Sequence, residues 1–416
     1  MTSRSDPPST PTDRVLADAY RAEWGRLLSL LIARTRRLDL AEDALGEAFV
    51  RASEHWPEVG APASPAGWLY TAAYRLIIGR LRAEAVAGRK APLLAVMADW
   101  TPDDDELDAL GDERLALILL CCHPALSPEA RSPLALRLVI GTSTEEIARL
   151  FLVGKATMAA RITRAKKKIV AAGIPLSSPV GDELRARLDE VTRTIYLAFT
   201  AGYAPGTGPE LLRVDLAGEA VELAAVLHHL VPGSAQVRSL LALLVLQHAR
   251  RDARVSAGRL VTLPDQDRTL WRNDEIQAGL ALLEGVSPDD VHAAPLRIQA
   301  EIAAAHSQAV TADATDWTTI AERYAALETL TGSPVVRLNR AVAVAEVAGA
   351  HAGLTVLDGL DEVLGGNHRL FAVRADLASR AGDASLARKS FDEALRLCAN
   401  ETEHAHLTDR RNALDS

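Results

Sequence analysis

The stretch TSTEEIARLFLVGKATMAARITRAKKKI, from Thr142 to Ile169, carries the strongest structural signal in the chain. Ser143 is followed three residues later by Glu146, the spacing of a capping box, which predicts a helix start. Residues 152–154 fit a tight turn, and we expect Gly154 to adopt a backbone angle that other residues avoid. A second helix follows, so the pattern predicts a helix-turn-helix.

Side chains of these two helices separate into apolar and polar faces. The first helix is expected to bury Ile147, Leu150 and Phe151. The second is expected to bury Met158, Ile162, Ala165 and Ile169. Its outward face is predicted to contact DNA through Lys155, Thr157, Arg161, Arg164 and Lys168. Such a helix packs on one side and donates hydrogen bonds to phosphates and guanine edges on the other. A solvated amphipathic helix whose lysines only keep it soluble is the alternative.

Length and composition bound the class of protein. A chain of 416 residues suggests two or three domains of about 150 residues each. Hydrophobic residues make up 48% and aromatic residues only 4%, and alanine and leucine dominate, which favours helices. No apolar run is long enough to cross a membrane, and the first 13 residues lack the apolar segment of a signal peptide. Three cysteines make no disulfide framework, so we expect a cytoplasmic protein.

The net charge of −9 conceals an asymmetry along the chain. Residues 1–175 carry a net charge of +1 and the remainder carries −10. Within the first part, residues 99–113 are strongly acidic, whereas the segment from Lys155 to Ile169 has six basic residues and no acidic one. A basic stripe on one helix is typical of phosphate contacts, whatever the overall charge.

Two stretches that precede the helix-turn-helix indicate which class of DNA-binding protein this is. DLAEDALGEAFVRASEHW (39–56) and SPAGWLYTAAYRLIIGRLR (64–82) are predicted helices, joined by a loop rich in proline and glycine at 57–65. These two stretches resemble region 2 of the extracytoplasmic-function (ECF) sigma factors of bacterial RNA polymerase. The helix-turn-helix that follows them resembles region 4, so the two regions stand in the same order as in that family. Stretches at 112–126, 196–203 and 335–344 resemble the subgroup with a C-terminal tetratricopeptide-like domain.

The resemblance implies an all-α protein with two small helical sigma domains and a C-terminal array of helical hairpins. The expected parts are a region 2 domain (14–90), an acidic linker (91–111), a region 4 helix-turn-helix domain (112–175) and the C-terminal domain (180–416). Residues of that last domain also point to a repeat. Helices are expected to begin at Trp317, Ala352 and Ala384, and a small–aromatic–small stripe runs through Ala387, Phe391 and Ala394. A tetratricopeptide-like solenoid and an irregular helical bundle both remain open.

The family's polymerase-binding helix falls on the segment from Asp43 to Phe49. The resemblance assigns contacts with the polymerase to Asp43, Leu45, Glu47 and Phe49. Leu45 and Phe49 fit an ordinary core position equally well.

The region 2 helix that follows is expected to touch the non-template DNA strand. The residues assigned to this contact are Thr71, Arg75, Arg80 and Arg82. The residues expected to face inward are Leu69, Ala72, Ala73 and Leu76. The aromatic residues that could stack on unpaired bases are Trp56, Trp68, Tyr70 and Tyr74, although a core position is favoured for Trp68. The loop at 57–65 lies where the family captures a flipped base.

Taken together, the resemblance predicts a sigma factor whose partners are core RNA polymerase and promoter DNA. It is expected not to be an enzyme and to need no cofactor or metal, with Cys121 and Cys122 as buried thiols rather than metal ligands. The acidic linker either occupies the polymerase's nucleic-acid channel or is a solvated spacer. The C-terminal domain is expected to regulate the factor, with a peptide or protein as its ligand.

Two other classes of protein remain open at this stage. One is an ordinary helix-turn-helix transcription regulator whose repeats sense a ligand. The other is a scaffold in which the repeats hold partner proteins and the basic helix is incidental.

Overall fold

A computed structural model describes residues 11–87, 113–151, 153–177, 179, 181–203, 214–256 and 259–414. The chain divides into two compact units, Met1–Ala198 and Phe199–Ser416. Almost all regular structure in the described residues is helical, which confirms the all-α prediction. The predicted acidic linker at 91–111 lies outside the described residues. No helix in the described part of the chain combines the length and apolarity needed to cross a bilayer.

The helices of the first unit come in short groups along the chain. They are α1 (Pro11–Thr35), α2 (Leu38–Val59), α3 (Pro65–Ala87), α4 (Arg114–Cys121), α5 (Pro128–Leu138), α6 (Thr144–Leu150), α7 (Lys155–Ala171), α8 (Gly181–Arg185) and α9 (Leu188–Tyr203). The boundary between the two units falls within α9. Helices α1 to α3 pack around fully buried leucines and isoleucines: Leu27, Leu28, Leu31, Leu45, Leu69 and Ile77.

The three-helix group and the later helices of this unit approach each other closely. A Cβ atom placed on Gly25 of α1 would lie only 1.7 Å from the backbone oxygen of Val139, so this contact requires glycine. Nearby, Tyr20 Oη donates a hydrogen bond of 3.3 Å to the backbone oxygen of Gly141. Helix α1 and the segment that follows α5 therefore share one packed unit.

Two local expectations need correction here. Helix α2 continues through Pro57 to Val59, so the predicted loop at 57–65 is shorter than expected. A proline in the last turn removes one N–H donor without preventing the helix from closing, because Gly60 N donates to Trp56 O at 2.9 Å. The expected unusual backbone angle at Gly154 is also absent, since its φ of −66° is ordinary for the residue that caps α7.

In its described residues the second unit is a series of helices with one short pair of strands. Its helices are α10 (Val214–Leu230), α11 (Ala235–His248), α12 (Asn273–Glu284), α13 (Ala294–Gln308), α14 (Trp317–Thr331), α15 (Pro334–Ala348), α16 (Ala350–Val356), α17 (Asp361–Leu364), α18 (His368–Arg380), α19 (Ala384–Leu397) and α20 (Glu401–Asn412). The strands β1 (Val255–Ser256) and β2 (Arg259–Leu260) pair antiparallel.

The predicted helix starts in the second unit are largely correct. Helices α14 and α19 begin at Trp317 and Ala384, each capped by a preceding aspartate, whereas α16 begins at Ala350 rather than Ala352. Sequence-adjacent helices pack on each other, as in α14 with α15 and α18 with α19. The predicted stripe is confirmed as buried: it is formed by Ala387, Phe391 and Ala394.

Candidate nucleic-acid and polymerase interfaces

A capping box fixes the start of the helix-turn-helix. Ser143 Oγ accepts a hydrogen bond from Glu146 N at 3.2 Å, and Glu146 Oε2 accepts one from Ser143 N at 2.9 Å. These two bonds satisfy backbone donors that a helix start would otherwise leave unpaired. The prediction made from the Ser143–Glu146 spacing is confirmed.

The apolar faces of α6 and α7 hold the motif together. The four residues predicted to be the buried face of α7 are all buried: Met158, Ile162, Ala165 and Ile169. In α6 the buried residues are Ile147 and Ala148. The expected burial of Leu150 is wrong, because it lies in the last turn of a seven-residue helix and is exposed.

The opposite face of α7 presents its basic residues to solvent. Lys155, Thr157, Arg164 and Lys168 are exposed and Arg161 is half-buried. Arg161 Nη1 donates to the backbone oxygen of Glu129 at 3.2 Å, which positions its guanidinium beside the start of α5. Arg161, Arg164 and Lys168 line one side of a groove of about 420 Å³. The face that the sequence assigned to DNA is therefore accessible.

Lys155, at the start of α7, pairs with Glu145 of α6 at 2.8 Å, and both side chains are largely exposed. An exposed pair of this kind exchanges readily for a phosphate contact. Lys166 differs from the other basic residues of α7. Its Nζ lies 2.6 Å from Glu42 Oε1 on α2, so it faces the rest of the unit rather than solvent. In the sequence Lys166 is one of the six basic residues of this segment, and no spacing reveals a partner 124 residues away.

Of the four residues assigned to polymerase binding, two are at least partly exposed and two are buried. Asp43 is exposed, and Glu47 is partly exposed with ion pairs to Arg51 at 2.6 Å and Arg80 at 2.9 Å. Leu45 and Phe49 are buried, so for these two the core interpretation applies.

The aromatic surroundings of Phe49 explain its burial. Its ring centroid lies 5.1 Å from that of Tyr20 and 5.9 Å from that of Trp24. Edge-to-face and tilted arrangements at these distances are typical of aromatic clusters in a core.

On α3 the residues assigned to DNA also differ in position. Arg75 and Arg82 are exposed, and Arg80 is half-buried against Glu47. Thr71 is only 6% exposed, so its assignment to the DNA-contacting face is wrong. Of the residues expected to face inward, Leu69 and Ala73 are buried, whereas Ala72 and Leu76 are only half-buried. The buried face of α3 is therefore rotated from the expected one.

The aromatic residues proposed to stack on bases are mostly core residues. Trp56, Tyr70 and Tyr74 are buried, which corrects the expectation for these three. The rings of Tyr70 and Tyr74 stack with centroids 6.0 Å apart, and Arg34 lies 5.2 Å over Tyr74. Trp68 is half-buried and meets the Trp56 ring edge-to-face at 5.6 Å, so core packing is the better account of it as well.

The cysteine pair that invited a metal interpretation is buried. Burial raises the pKa of the Cys122 thiol to about 12, and its Sγ lies 3.8 Å from Thr194 Oγ1. Burial also raises the pKa of Cys121. Both groups are therefore thiols at neutral pH, as expected of cysteines in a helical core.

Sequence reasoning did not foresee one group of metal-ligating side chains. One ligand atom each from His368, Cys398 and Glu403 lie within 4.8 Å of one another. His368 Nε2 already makes a 2.8 Å hydrogen bond with Glu403 Oε2, so the group is satisfied without an ion.

Three separate segments of the chain match known protein families. Residues 19–86 match sigma-70 region 2, and residues 116–169 match sigma-70 region 4. Residues 187–287 match a family of unknown function, DUF6596. The chain is 40% identical over 401 residues to an uncharacterised protein of Rhizobium meliloti (strain 1021), an alignment that covers 95% of this chain and 94% of the relative.

Proposed function

Because residues 19–86 and 116–169 match sigma-70 regions 2 and 4, which indicates a sigma factor, we propose that the chain is an ECF sigma factor that directs the polymerase to its promoters. The observation that carries this proposal is the geometry of α7, whose apolar face is buried while Lys155, Arg164 and Lys168 are exposed and Arg161 is half-buried. The chain would work in the cytoplasm beside the chromosome. It would form no bond itself, since the polymerase performs the chemistry.

Helix α7 would read the promoter element farther from the start site. A recognition helix enters the major groove with its N-terminal residues nearest the base edges. Lys155 and Thr157 occupy that first turn, and Arg161 and Arg164 follow on the same face. Lys168 lies near the C-terminal end, where a phosphate contact fits better than base readout.

Region 2 would contact the element nearer the start site and take part in melting it. Arg75 and Arg82 are exposed on α3, whereas Arg80 must exchange its ion pair with Glu47 for a phosphate. Thr71 is buried and is not among these contacts.

The polymerase would dock on the exposed face of α2. Asp43 and Glu47 supply charge there, and Val50 is 55% exposed one turn further on. An exposed apolar side chain next to two carboxylates suits a protein interface better than a DNA interface, because carboxylates repel phosphates.

The second unit would be a tetratricopeptide-like regulatory domain that binds a peptide or another ligand. Its stacked hairpins and the net −10 charge of the chain after residue 175 support this role. A truncation that tests it should keep α8 and α9, because Arg187 Nη1 donates to Leu119 O at 3.0 Å and Ser132 Oγ donates to Glu190 Oε1 at 2.7 Å. A chain ending after Tyr203 should give altered promoter-driven transcription, and unchanged output would count against regulation.

Transcription reconstituted with core polymerase tests the central proposal. The full chain should support initiation at selected promoters, and replacing both Arg161 and Arg164 with alanine should abolish it. Arg193→Ala is a matched control, since it removes an exposed arginine from α9. Specific binding to duplex DNA without polymerase would favour an operator-binding regulator instead. Absence of any DNA affinity, with or without polymerase, would favour the scaffold.

A further inference from the structure

Three side chains of the types that bind metal ions meet among the last helices of the second unit. His368 is the first residue of α18, Cys398 directly follows α19, and Glu403 lies in the first turn of α20. One ligand atom from each lies within 4.8 Å of the other two. Because His368 and Glu403 are 35 residues apart in the sequence, the packing of these helices brings the three side chains together.

A buried asparagine fixes the turn that carries two of these side chains. Asn400 Oδ1 accepts hydrogen bonds from Thr402 N at 3.1 Å and from Glu403 N at 2.9 Å, which caps the start of α20. Cys398 Sγ lies 3.5 Å from the backbone oxygen of the same asparagine. Asn400 is only 5% exposed, so the turn belongs to the packed structure. The sulfur and the carboxylate are therefore held near each other before any ion binds.

The carboxylate of Glu403 is oriented by two different partners. Its Oε2 lies 2.8 Å from His368 Nε2, and its Oε1 lies 3.5 Å from Arg369 Nη2. The oxygen beside the imidazole is the one that lies in the group. The arginine holds the other oxygen from behind, as groups that orient metal ligands commonly do.

The ligand types and their separations suit zinc. Zn²⁺ binds cysteine sulfur at about 2.3 Å and histidine nitrogen or carboxylate oxygen at about 2.0–2.2 Å, usually in a tetrahedron. Ligand atoms of such a site are roughly 3.3–3.7 Å apart, so these side chains would need to move by only about 1 Å. Mg²⁺ and Ca²⁺ instead require a shell of oxygen ligands, which a thiol and an imidazole do not supply.

We propose that His368, Cys398 and Glu403 bind a zinc ion, with the fourth position of the tetrahedron open to water or to an external ligand. The sulfur binds as a thiolate, so its proton is released to solvent when the ion binds. Zinc replaces the hydrogen bond that satisfies His368 and Glu403 without an ion. The side chains of these two residues are 24% and 28% exposed, so an ion can reach them from solvent.

Such an ion would fasten the last described helix to the rest of the array. Further along α20, Arg410 already pairs with Asp376 of α18. Zinc would add a second link between the same two helices, at their N-terminal ends, and would also join the end of α19. The proposal departs from the sequence-based expectation that the chain needs no metal. It concerns metal binding alone and does not depend on the sigma activity.

Cobalt tests the site directly, because Co²⁺ accepts the same ligands as zinc and is coloured. The full chain, freed of metal with a chelator, should bind one Co²⁺ and show the near-ultraviolet charge-transfer band of a cobalt–thiolate bond. Zinc should abolish this band, excess Mg²⁺ should not, and Cys398→Ser should lack it. A band that persists in Cys398→Ser would place the ion on another thiol and overturn the proposal.

Calorimetric titration with Zn²⁺ tests the other two ligands. We expect one ion per chain, and a loss of about tenfold or more in affinity for His368→Gln and for Glu403→Gln. Glu401→Gln and His404→Gln change exposed residues of the same helix and should bind as the parent does. No saturable binding of one zinc ion, or an equal loss in the two control variants, would contradict the proposed site.

Thermal unfolding separates a lost site from a damaged fold. Without metal, Cys398→Ser should unfold within a few degrees of the parent, because serine keeps the shape of cysteine. Zinc should raise the unfolding temperature of the parent, since an ion that binds the folded form stabilises it, and should leave that of Cys398→Ser unchanged. An equal rise in both chains would mean that zinc acts elsewhere and would sink the idea.

Discussion

Lys166 of α7 and Glu42 of α2 form an ion pair with 2.6 Å between Nζ and Oε1. Their side chains are only 26% and 15% exposed, and Arg137 Nε lies 3.9 Å from the same carboxylate. Glu42 thus joins α7 and α5 to α2. At the start of α7, Lys155 and Glu145 form a pair of the same chemistry whose side chains are 68% and 56% exposed.

These two pairs should respond differently to mutation. Lys166→Met should lower the free energy of unfolding by about 1–2 kcal/mol, because it leaves a half-buried carboxylate with a weaker partner. Lys155→Met should leave stability unchanged and weaken promoter binding instead. Urea unfolding and a DNA-binding assay on both variants check this separation. Equal stability losses in the two would show that burial does not distinguish the pairs.

A second prediction concerns two helical glycines. Gly25→Ala should destabilise the first unit by about 3 kcal/mol, because the new methyl group would overlap the backbone of Val139, which cannot move as a side chain can. Gly46→Ala on α2 has no atom within 4 Å of its new Cβ and should stabilise the chain by about 0.5–1 kcal/mol through a better helix propensity. Chemical denaturation of both variants measures the opposite signs. A stabilised Gly25→Ala would disprove the close approach of α1 to Val139.

Helix capping gives a third prediction. Ser143→Ala should cost about 1 kcal/mol of stability, because it removes the side-chain half of the capping box. Ser127→Ala is the matched control, since Ser127 occupies the same position before α5 but makes no side-chain capping bond. If the two substitutions cost the same in urea unfolding, the bond to Glu146 contributes nothing.

The sequence predicted α7 well and α3 poorly, for a physical reason. In α7 charged residues and alanines surround a single apolar stripe, so the spacing from Met158 to Ile169 defines one buried face. In α3 apolar residues occur nearly all around the helix, and α1 and α2 both pack against it. Residues such as Thr71 and Tyr74 are then buried by the tertiary contacts, which the helical period alone does not reveal.

The arginine cluster of the second unit could be anticipated only in part. The run RRDAR from Arg250 to Arg254 is visible in the sequence as a basic segment. Arg250 is buried against Trp271 and Arg254 is half-buried against Tyr203, and both rings lie in separate segments of the chain. Residue spacing within one segment does not predict contacts between arginines and aromatic rings of other segments. The ion pair of Lys166 could not be predicted for the same reason, because its partner Glu42 is 124 residues away in the sequence.

The second unit should lose stability as pH falls from neutral. Burial, helped by the charges of Arg250 and Arg268, lowers the pKa of His306 from 6.5 to about 4. Between these two values the unfolded chain binds a proton that the folded chain excludes, so the free energy of unfolding rises with pH in this window. Between about pH 7 and pH 5.5, His306→Gln should therefore lose less free energy of unfolding than the parent chain does.

The exposed His351 provides the control for that pH dependence. His351→Gln should follow the parent chain at both pH values when unfolding is measured in chloride buffers. A pH dependence that is the same in His306→Gln as in the parent would show that His306 does not contribute to it.

The last prediction concerns the salt dependence of promoter binding, because phosphate contacts release condensed counterions from DNA. Each phosphate contact contributes about 0.9 to the negative slope of log affinity against log salt concentration. If Arg161 and Arg164 each contact a phosphate, replacing both with alanine should reduce the magnitude of the slope of the polymerase-bound factor by about 2. Arg193→Ala should leave the slope unchanged, since that arginine lies on α9. A double variant with weaker binding but an unchanged slope would mean that the two arginines read base edges rather than phosphates.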